Sequence, residues 1–380
     1  MQSTSKKIFL IVTEINFFLS HRYDLVKELA NRGWKFSIVC YFDESSVKPE
    51  ENIEYIFINS NRENFNIINL LLNAKKLSQK ISTFKPDLIY AISHRSIFLS
   101  RLGSLFKKID SLYAITGMGS VFTYNKNFIK RFFLKIVRSL MINSYRFFIN
   151  NKNSGFILQN PDDLNFLISN RISTNKNSYI IPGNGLPDNY FSSEPPRSKN
   201  FKFIMLSRIL KDKGVIEFLV AAQNIVKQYP ECRFELYGSF DFNNPQSIKK
   251  NELESYLSSK ITYMGYERDV KTKIVQSNIL VLPSYREGFA RVLMEAQACS
   301  RPVITSNISG CRDAIIENQT GLLVNPMDAK DLEEKMKYFL KNPFEYESMS
   351  KNSYNHAMTS FRIKQAADIH EDIFNKILSV

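Results

Sequence analysis

The chain has 380 residues, 44% of them hydrophobic, and a formal net charge of +14. That length exceeds what one core supports and suits two domains, and the apolar content is ordinary for a globular protein. No run of eighteen apolar residues occurs, which excludes a membrane-spanning helix.

The start, Met1–Lys7, is polar, and the apolar run Ile8–Val12 is too short for a signal-peptide core. It reads as a first strand over Lys6–Thr13. A loop, Glu14–Ser20, is expected next, then a helix from about His21 to Asn31, ended near Gly33. Strands are expected at Trp34–Tyr41 and Ile53–Ile58. Phe65–Phe84 has helical spacing through Ile67, Ile68, Leu71, Leu72, Leu77 and Ile81. A strand at Asp87–Ile92, a helix at Arg95–Phe106 and a strand at Leu112–Ile115 follow. Strands alternating with helices predict a parallel sheet covered on both faces, with ligands at the carboxyl ends of strands. Three loops at such ends stand out: Glu14–Ser20, Ser93–His94 and Thr116–Ser120, where Gly117 and Gly119 permit a close backbone approach. His94 is a candidate functional residue or a satisfied structural histidine. His21 is a weaker candidate.

From Ser111 to Pro161 there is no acidic residue and there are seven basic ones. Arg131, Lys135 and Arg138 share one face of a helix. Ile129, Phe132, Phe133, Ile136 and Leu140 fall on another. A basic amphipathic helix rich in phenylalanine predicts binding to an anionic membrane surface through Lys130, Arg131, Lys135 and Arg138. The bland alternative is an apolar face packed on the sheet. The charge is uneven: residues 1–195 carry 25 Lys and Arg against 15 Asp and Glu, while residues 196–380 carry 26 against 22. The first half therefore suits an anionic partner.

Gly155–Gln159 is expected as a strand, with Asn160 capping a helix that begins at Pro161. Tyr179–Ile181 closes the first domain, over 1–190. Pro182–Pro187 and Ser192–Lys199 read as linker. The second domain, over 200–360, opens on a strand at Phe201–Ser207. Arg208 and Lys213 follow, and Gly214 opens a helix to about Tyr229. Two cations before a helix suit a diphosphate, the arginine as a fork and the lysine as a point charge. Strands at Phe234–Tyr237 and Ile261–Met264 and a helix at Arg268–Ser277 come next. Helices are expected at Ala329–Leu340, Phe344–Thr359 and Ile363–Leu378. The four cysteines (Cys40, Cys232, Cys299, Cys311) lack metal-ligand spacing and read as reduced thiols of a cytosolic protein.

The most informative stretch is Ser284–Val303, S-Y-R-E-G-F-A-R-V-L-M-E-A-Q-A-C-S-R-P-V. It follows the apolar run Ile279–Leu282. Gly288 permits a sharp turn, and Ala290–Ala298 are helix formers. This predicts strand, tight loop and helix, with the N–H groups of Phe289, Ala290 and Arg291 unpaired and able to hold an anion. Glu287 and Glu295 bracket the turn with seven residues between them. Glu295 can accept hydrogen bonds from a diol such as ribose.

The glutamate spacing, the R-E-G-F loop, R-P-V-I-T-S-N-I-S-G-C-R-D-A-I after it and T-G-L-L-V at Thr320–Val324 together resemble the retaining glycosyltransferases of family 4. The resemblance is strong over Phe201–Val324 and weak in the N-terminal half. It implies the GT-B fold: two Rossmann-like α/β domains facing an interdomain cleft, with the C-terminal helix, 361–380, returning to the first domain. It implies that Arg208, Lys213, Glu287, Gly288, Phe289, Ala290, Arg291 and Glu295 bind the donor, with Tyr266 near the nucleobase. It implies a catalytic role for His94, beside the donor sugar and acceptor, and for Glu287, Arg208 and Lys213, with His21, Gly117 and Gly119 expected at the acceptor. No Asp-x-Asp of the metal-holding sort occurs, so no cofactor and no metal are expected. A-I-S-H-R-S and G-M-G-S-V-F resemble bacterial enzymes that extend polyprenyl-diphosphate-linked saccharides for O-antigen, capsule or glycoprotein, from UDP-sugars, often UDP-N-acetylhexosamines. Such an enzyme is cytoplasmic and peripheral on the inner face of the plasma membrane. Ala290 stands where many members have proline, and the first loop lacks their glycines. No nucleic-acid-binding motif appears. A UDP-sugar epimerase and a non-catalytic nucleotide-sugar-binding protein remain open.

Overall fold

The computed structural model describes residues 6–42, 47–58, 67–118, 128–149, 154–192 and 200–378, with backbone alone at 42, 67, 128–131 and 133. The chain forms two compact units, Met1–Gly185 with Ile363–Val380, and Leu186–Arg362.

The first unit is built on seven parallel strands: β1 (Lys7–Glu14), β2 (Lys35–Phe42), β3 (Ile53–Phe57), β4 (Leu88–Ile92), β5 (Asp110–Ile115), β6 (Ser154–Leu158) and β7 (Ser178–Ile180). Their order is β3-β2-β1-β4-β5-β6-β7, so the direction of winding reverses between β1 and β4. The strand period of two sorts the core into two layers. Ile8, Leu10 and Val12 join Leu25, Leu29, Ala367 and Phe374 on one face. Phe9 and Ile11 join Leu77, Ile81, Ile97 and Tyr145 on the other.

The last helix, Ile363–Leu378, is part of this unit. The Trp34 ring meets Phe374 edge-on at 5.2 Å and its Nε1 donates to Glu371 at 3.0 Å. Arg32 bonds both Asp368, at 2.6 Å, and Glu371, at 3.1 Å.

The second unit carries six parallel strands: β8 (Lys202–Leu206), β9 (Arg233–Tyr237), β10 (Ile261–Gly265), β11 (Ile279–Leu282), β12 (Val303–Ser306) and β13 (Gly321–Val324). The order β10-β9-β8-β11-β12-β13 puts the switch point between β8 and β11. Helix Val215–Gln228 follows β8, and helix Arg291–Ala298 follows β11. The expected Asn160 cap forms: its side chain accepts from the Asp163 N–H at 2.8 Å, with Pro161 at the first helical position.

Three findings depart from the sequence reading. Glu14–Ser20 is not a loop, because Ile15–His21 is helical and buries Ile15 and Phe18, three residues apart, against the core. The strands β12 and β13 lie inside the motif segments and carry no strand signal of their own; at four residues each, they are too short for periodicity to reveal. Helix Phe128–Ser144 departs from the bland alternative of an apolar face packed on the sheet: Phe132, Ile136 and Leu140 are exposed, at 58%, 44% and 63%. None of the four cysteines forms a disulfide, and all are buried. Among the described residues no helix is long and apolar enough to cross a membrane.

Candidate active site

In the second unit the loops after β8 and β11 are joined at the switch point. Gly214 adopts φ +74, and a Cβ there would lie 2.1 Å from the Pro283 carbonyl oxygen. Only glycine lets the two loops touch. The Tyr285 N–H then donates to the Asp212 carbonyl at 2.8 Å. This contact brings together two side chains that are 74 positions apart: Lys213 Nζ lies 2.6 Å from Glu287 Oε1. Both are largely buried, at 18% and 16% side-chain exposure, and Ser284 Oγ also donates to Glu287, at 2.8 Å. A short, partly dehydrated ion pair holds each group in one geometry.

Gly310 supports the same loop from behind. Its φ is +79, and a Cβ would fall 2.4 Å from the Gly288 carbonyl oxygen and 2.7 Å from that of Glu287. Its own N–H donates to Asp313 at 3.0 Å, and its carbonyl accepts from Ala290 N–H at 3.1 Å. This last bond corrects the expected anion cradle: the Ala290 N–H is taken by Gly310 and is not presented to a ligand. The Ala290 and Phe289 side chains are buried, with the Phe289 ring edge-on to Phe361 at 6.2 Å.

Glu295 is not a solvated helix residue. It is 7% exposed, and Arg291 Nε, one turn back, donates to it at 2.8 Å. The Tyr190 hydroxyl, from a short turn at Asp188–Tyr190, also bonds it. Burial, then the Glu295 charge, push the Tyr190 hydroxyl well above its ordinary pKa, so it stays protonated and donating. Sequence reasoning missed Tyr190, which no motif marks. Arg208 is more open, and its guanidinium pairs with Asp241 at 2.9 Å. Tyr266, after β10, is 70% exposed and available for stacking.

In the first unit, His94 opens the helix His94–Gly103 at the carboxyl end of β4. Ser93 before it has φ +79 and ψ 154, a region nearly restricted to glycine that costs about 1–3 kcal/mol. Both ring nitrogens are engaged. The Gly117 carbonyl lies 3.1 Å from Nε2, so Nε2 carries the proton, and Nδ1 accepts from the Tyr145 hydroxyl at 2.7 Å. Burial holds the His94 pKa below the ordinary value, so the ring is neutral. Gly117 thus meets His94 as a partner. Gly119 lies outside the described residues.

His21 ends its helix where it was expected to begin one. Its ring stacks on Phe17 at 5.0 Å and its Nδ1 meets Ser20 Oγ at 2.7 Å. The neighbouring Arg22, which the sequence did not single out, is 3% exposed and donates to Asn184, whose side chain in turn donates to the His21 carbonyl at 2.9 Å. Lys135 is exposed, whereas the Lys130 and Arg131 side chains lie outside the described residues. Among the described residues no cluster of three or more His, Cys, Asp or Glu side chains could hold a metal ion.

These two units match known families. The model described as glycosyl transferases group 1 matches residues 188–356, and the glycosyl transferase 4-like model matches residues 7–151. The chain belongs to these glycosyltransferases, and its two parallel-sheet α/β units are those of the GT-B fold. It is similar to an N,N'-diacetylbacillosaminyl-diphospho-undecaprenol alpha-1,3-N-acetylgalactosaminyltransferase of Campylobacter jejuni, 28% identical over 90% of this chain and 93% of that one. Among solved structures, a sucrose-phosphate synthase of Thermosynechococcus elongatus is 20% identical with TM-score 0.80, covering 98% of this chain and 99% of the other. Anabaena HepE in complex with UDP-glucose is 16% identical with TM-score 0.74, covering 98% of this chain and 100% of that one.

Proposed function

We propose that this glycosyltransferase moves a sugar, an N-acetylhexosamine in the first instance, from a UDP-sugar to a polyprenyl-diphosphate-linked saccharide in bacterial surface-glycan assembly, with retention at the anomeric carbon. The observation that carries the reading is the meeting of Lys213 and Glu287 at the β8–β11 switch point. It occurs in a chain similar over nine-tenths of its length to an enzyme named for an undecaprenol-linked acceptor. In open α/β sheets the switch point is where ligands bind.

In this reading Lys213 and Arg208 turn from their carboxylate partners to the donor diphosphate and stabilise the negative charge that develops on it as the sugar leaves. No metal ion is needed for that step. Glu287, released from Lys213, accepts from donor-sugar hydroxyls. Glu295, oriented by Arg291 and Tyr190, accepts from the ribose, and Tyr266 stacks on the base. The bond from the anomeric carbon to the diphosphate oxygen breaks. The acceptor oxygen bonds to that carbon on the same face, and its proton passes to a donor phosphate oxygen. The first unit takes the acceptor near His94 and Gly117. The acceptor's lipid holds the enzyme at the cytoplasmic membrane surface, where Lys130, Arg131, Lys135 and Arg138 each contribute about 1 kcal/mol toward anionic lipid.

A screen of UDP- and GDP-sugars against polyprenyl-diphosphate-linked acceptors, scored by radiolabel transfer with and without excess chelator, tests the reading. Transfer from a UDP-sugar that persists in chelator is expected. Transfer only from GDP-sugars, or a strict divalent requirement, contradicts it. Nucleotide-sugar binding without transfer would instead make the protein a non-catalytic sensor.

A further inference from the structure

Three helical segments of the first unit pack their inner sides on one face of its sheet. Leu77 and Ile81 of helix Ile67–Phe84, Ile97 and Leu99 of helix His94–Gly103, and Tyr145 and Ile149 after helix Phe128–Ser144 share one buried cluster. The segments are neighbours. A Cβ on Gly103 would lie 3.0 Å from Leu77, and Arg101 Nε donates to the Phe148 carbonyl at 2.6 Å.

Their outer sides are apolar as well. On helix Ile67–Phe84, Ile68, Leu71 and Leu72 form an i, i+3, i+4 stripe exposed at 68%, 54% and 51%. The same stripe continues into exposed Lys75, Lys76 and Lys80. Phe106, just beyond the second helix, is 95% exposed, and Lys108 beside it is exposed too. The third contributes Phe132, Ile136 and Leu140. Acidic residues are nearly absent: between positions 64 and 161 only Asp87 and Asp110 occur. Asp87 precedes β4, where its carboxylate accepts the Lys7 N–H at 2.7 Å, and Asp110 begins β5. Exposed aromatic and leucine side chains beside lysines, with no carboxylate among the described residues of these three segments, complement a surface that is anionic outside and hydrocarbon beneath.

We propose that the stripe Ile68–Leu72 and Phe106 join the basic helix in one docking surface for a bilayer of anionic phospholipid, with these side chains inserted below the headgroups. The proposal rests on the functional reading only in placing the acceptor in a membrane. It extends the lipid contact to two segments that carry no motif.

The full chain and a Leu71→Glu, Leu72→Glu, Phe106→Glu variant are compared by sedimentation with vesicles of phosphatidylglycerol and phosphatidylethanolamine, and of phosphatidylcholine alone. The substituted residues are exposed, so folding is expected to survive, and circular dichroism checks it. The parent should bind the anionic vesicles, be released by high salt and bind phosphatidylcholine weakly. The variant should lose at least about tenfold in anionic-vesicle binding although the basic helix is untouched. Equal binding by parent and variant would overturn the proposal and confine the lipid contact to the basic helix. So would a parent that elutes as a dimer and a variant that elutes as a monomer, since a second copy would then cover the face. Transfer to a water-soluble, short-chain acceptor is measured in parallel and should be the same in both proteins. If the parent transfers no sugar to any acceptor, the functional reading fails while sedimentation still decides the docking surface.

Discussion

Replacing Lys213 by alanine removes one cation from the candidate donor site. In the structure its ammonium lies 2.6 Å from Glu287 and is mostly buried, so it contributes twice: to the ion pair at rest and to the diphosphate during transfer. A hydrogen bond to a charged group is worth roughly 1.5–3 kcal/mol, which at the transition state corresponds to a fall in kcat/KM of about 10- to 150-fold. The loss of the resting pair lowers stability by about 1–3 kcal/mol, because Glu287 keeps Ser284 but loses its counter-ion. Lys213→Arg retains charge with different geometry and should fall between parent and alanine. The assay is initial-rate radiolabel transfer at sub-saturating donor, with melting followed in parallel. A folded Lys213→Ala protein with unchanged kcat/KM would refute the diphosphate role and leave the pair as a brace between two loops.

Gly310→Ala forces a left-handed backbone and a 2.4 Å contact with the Gly288 carbonyl; it should cost ~2–3 kcal/mol, and weaken UDP-sugar binding by displacing Glu287, whereas unchanged melting and affinity would mean that the loop gives way freely. His94→Ala should lower turnover far more than donor affinity, with Tyr145 left without its acceptor; an effect on melting alone would mark His94 as structural. Ser93→Gly should stabilise the protein by about 1 kcal/mol or more, read by chemical denaturation, because glycine relieves the φ +79 strain; a destabilised variant would show that the serine side chain matters more. Burial, with Arg22 nearby, pushes the His370 pKa down to about 4, so the unfolded chain binds the extra proton first as pH falls. Stability is then full above about pH 6.5 and declines toward pH 4 by about 3 kcal/mol. His370→Gln should flatten that slope in pH-dependent denaturation, and an unchanged slope would assign it elsewhere.

The fold was legible where strands are long and helices amphipathic. The alternation of apolar runs with periodic segments marks both sheets, and the returning last helix was expected from family resemblance. The short strands β12 and β13 were not legible, since four buried residues carry no period. The helix Ile15–His21 was hidden because its pattern, with two aromatic residues and no cap, looks like a loop. At the site, the motif spacing pointed to Lys213, Glu287 and Glu295, and the structure brings the first two into contact. What spacing could not reveal is what holds them. Tyr190 reaches Glu295 from a turn about a hundred positions earlier in the chain, and Gly310 supports Glu287 through a backbone contact that no side-chain pattern encodes. The free N–H at Ala290 was inferred from helix geometry alone. A neighbouring loop supplies its acceptor, and that is a tertiary fact. For helix Phe128–Ser144, periodicity showed two faces but not which one meets the sheet.

Retaining transfer from a UDP-sugar to a lipid-linked acceptor is decided by the product of a single reaction. The purified protein is given a UDP-N-acetylhexosamine of known anomeric configuration and a polyprenyl-diphosphate-linked saccharide, and the new linkage is read by the one-bond carbon–proton coupling at its anomeric carbon. The expected product is an acceptor one sugar heavier whose new linkage keeps the donor's configuration, in chelator as well as without it. An inverted linkage, or an acceptor left unchanged by every UDP-sugar, would contradict it.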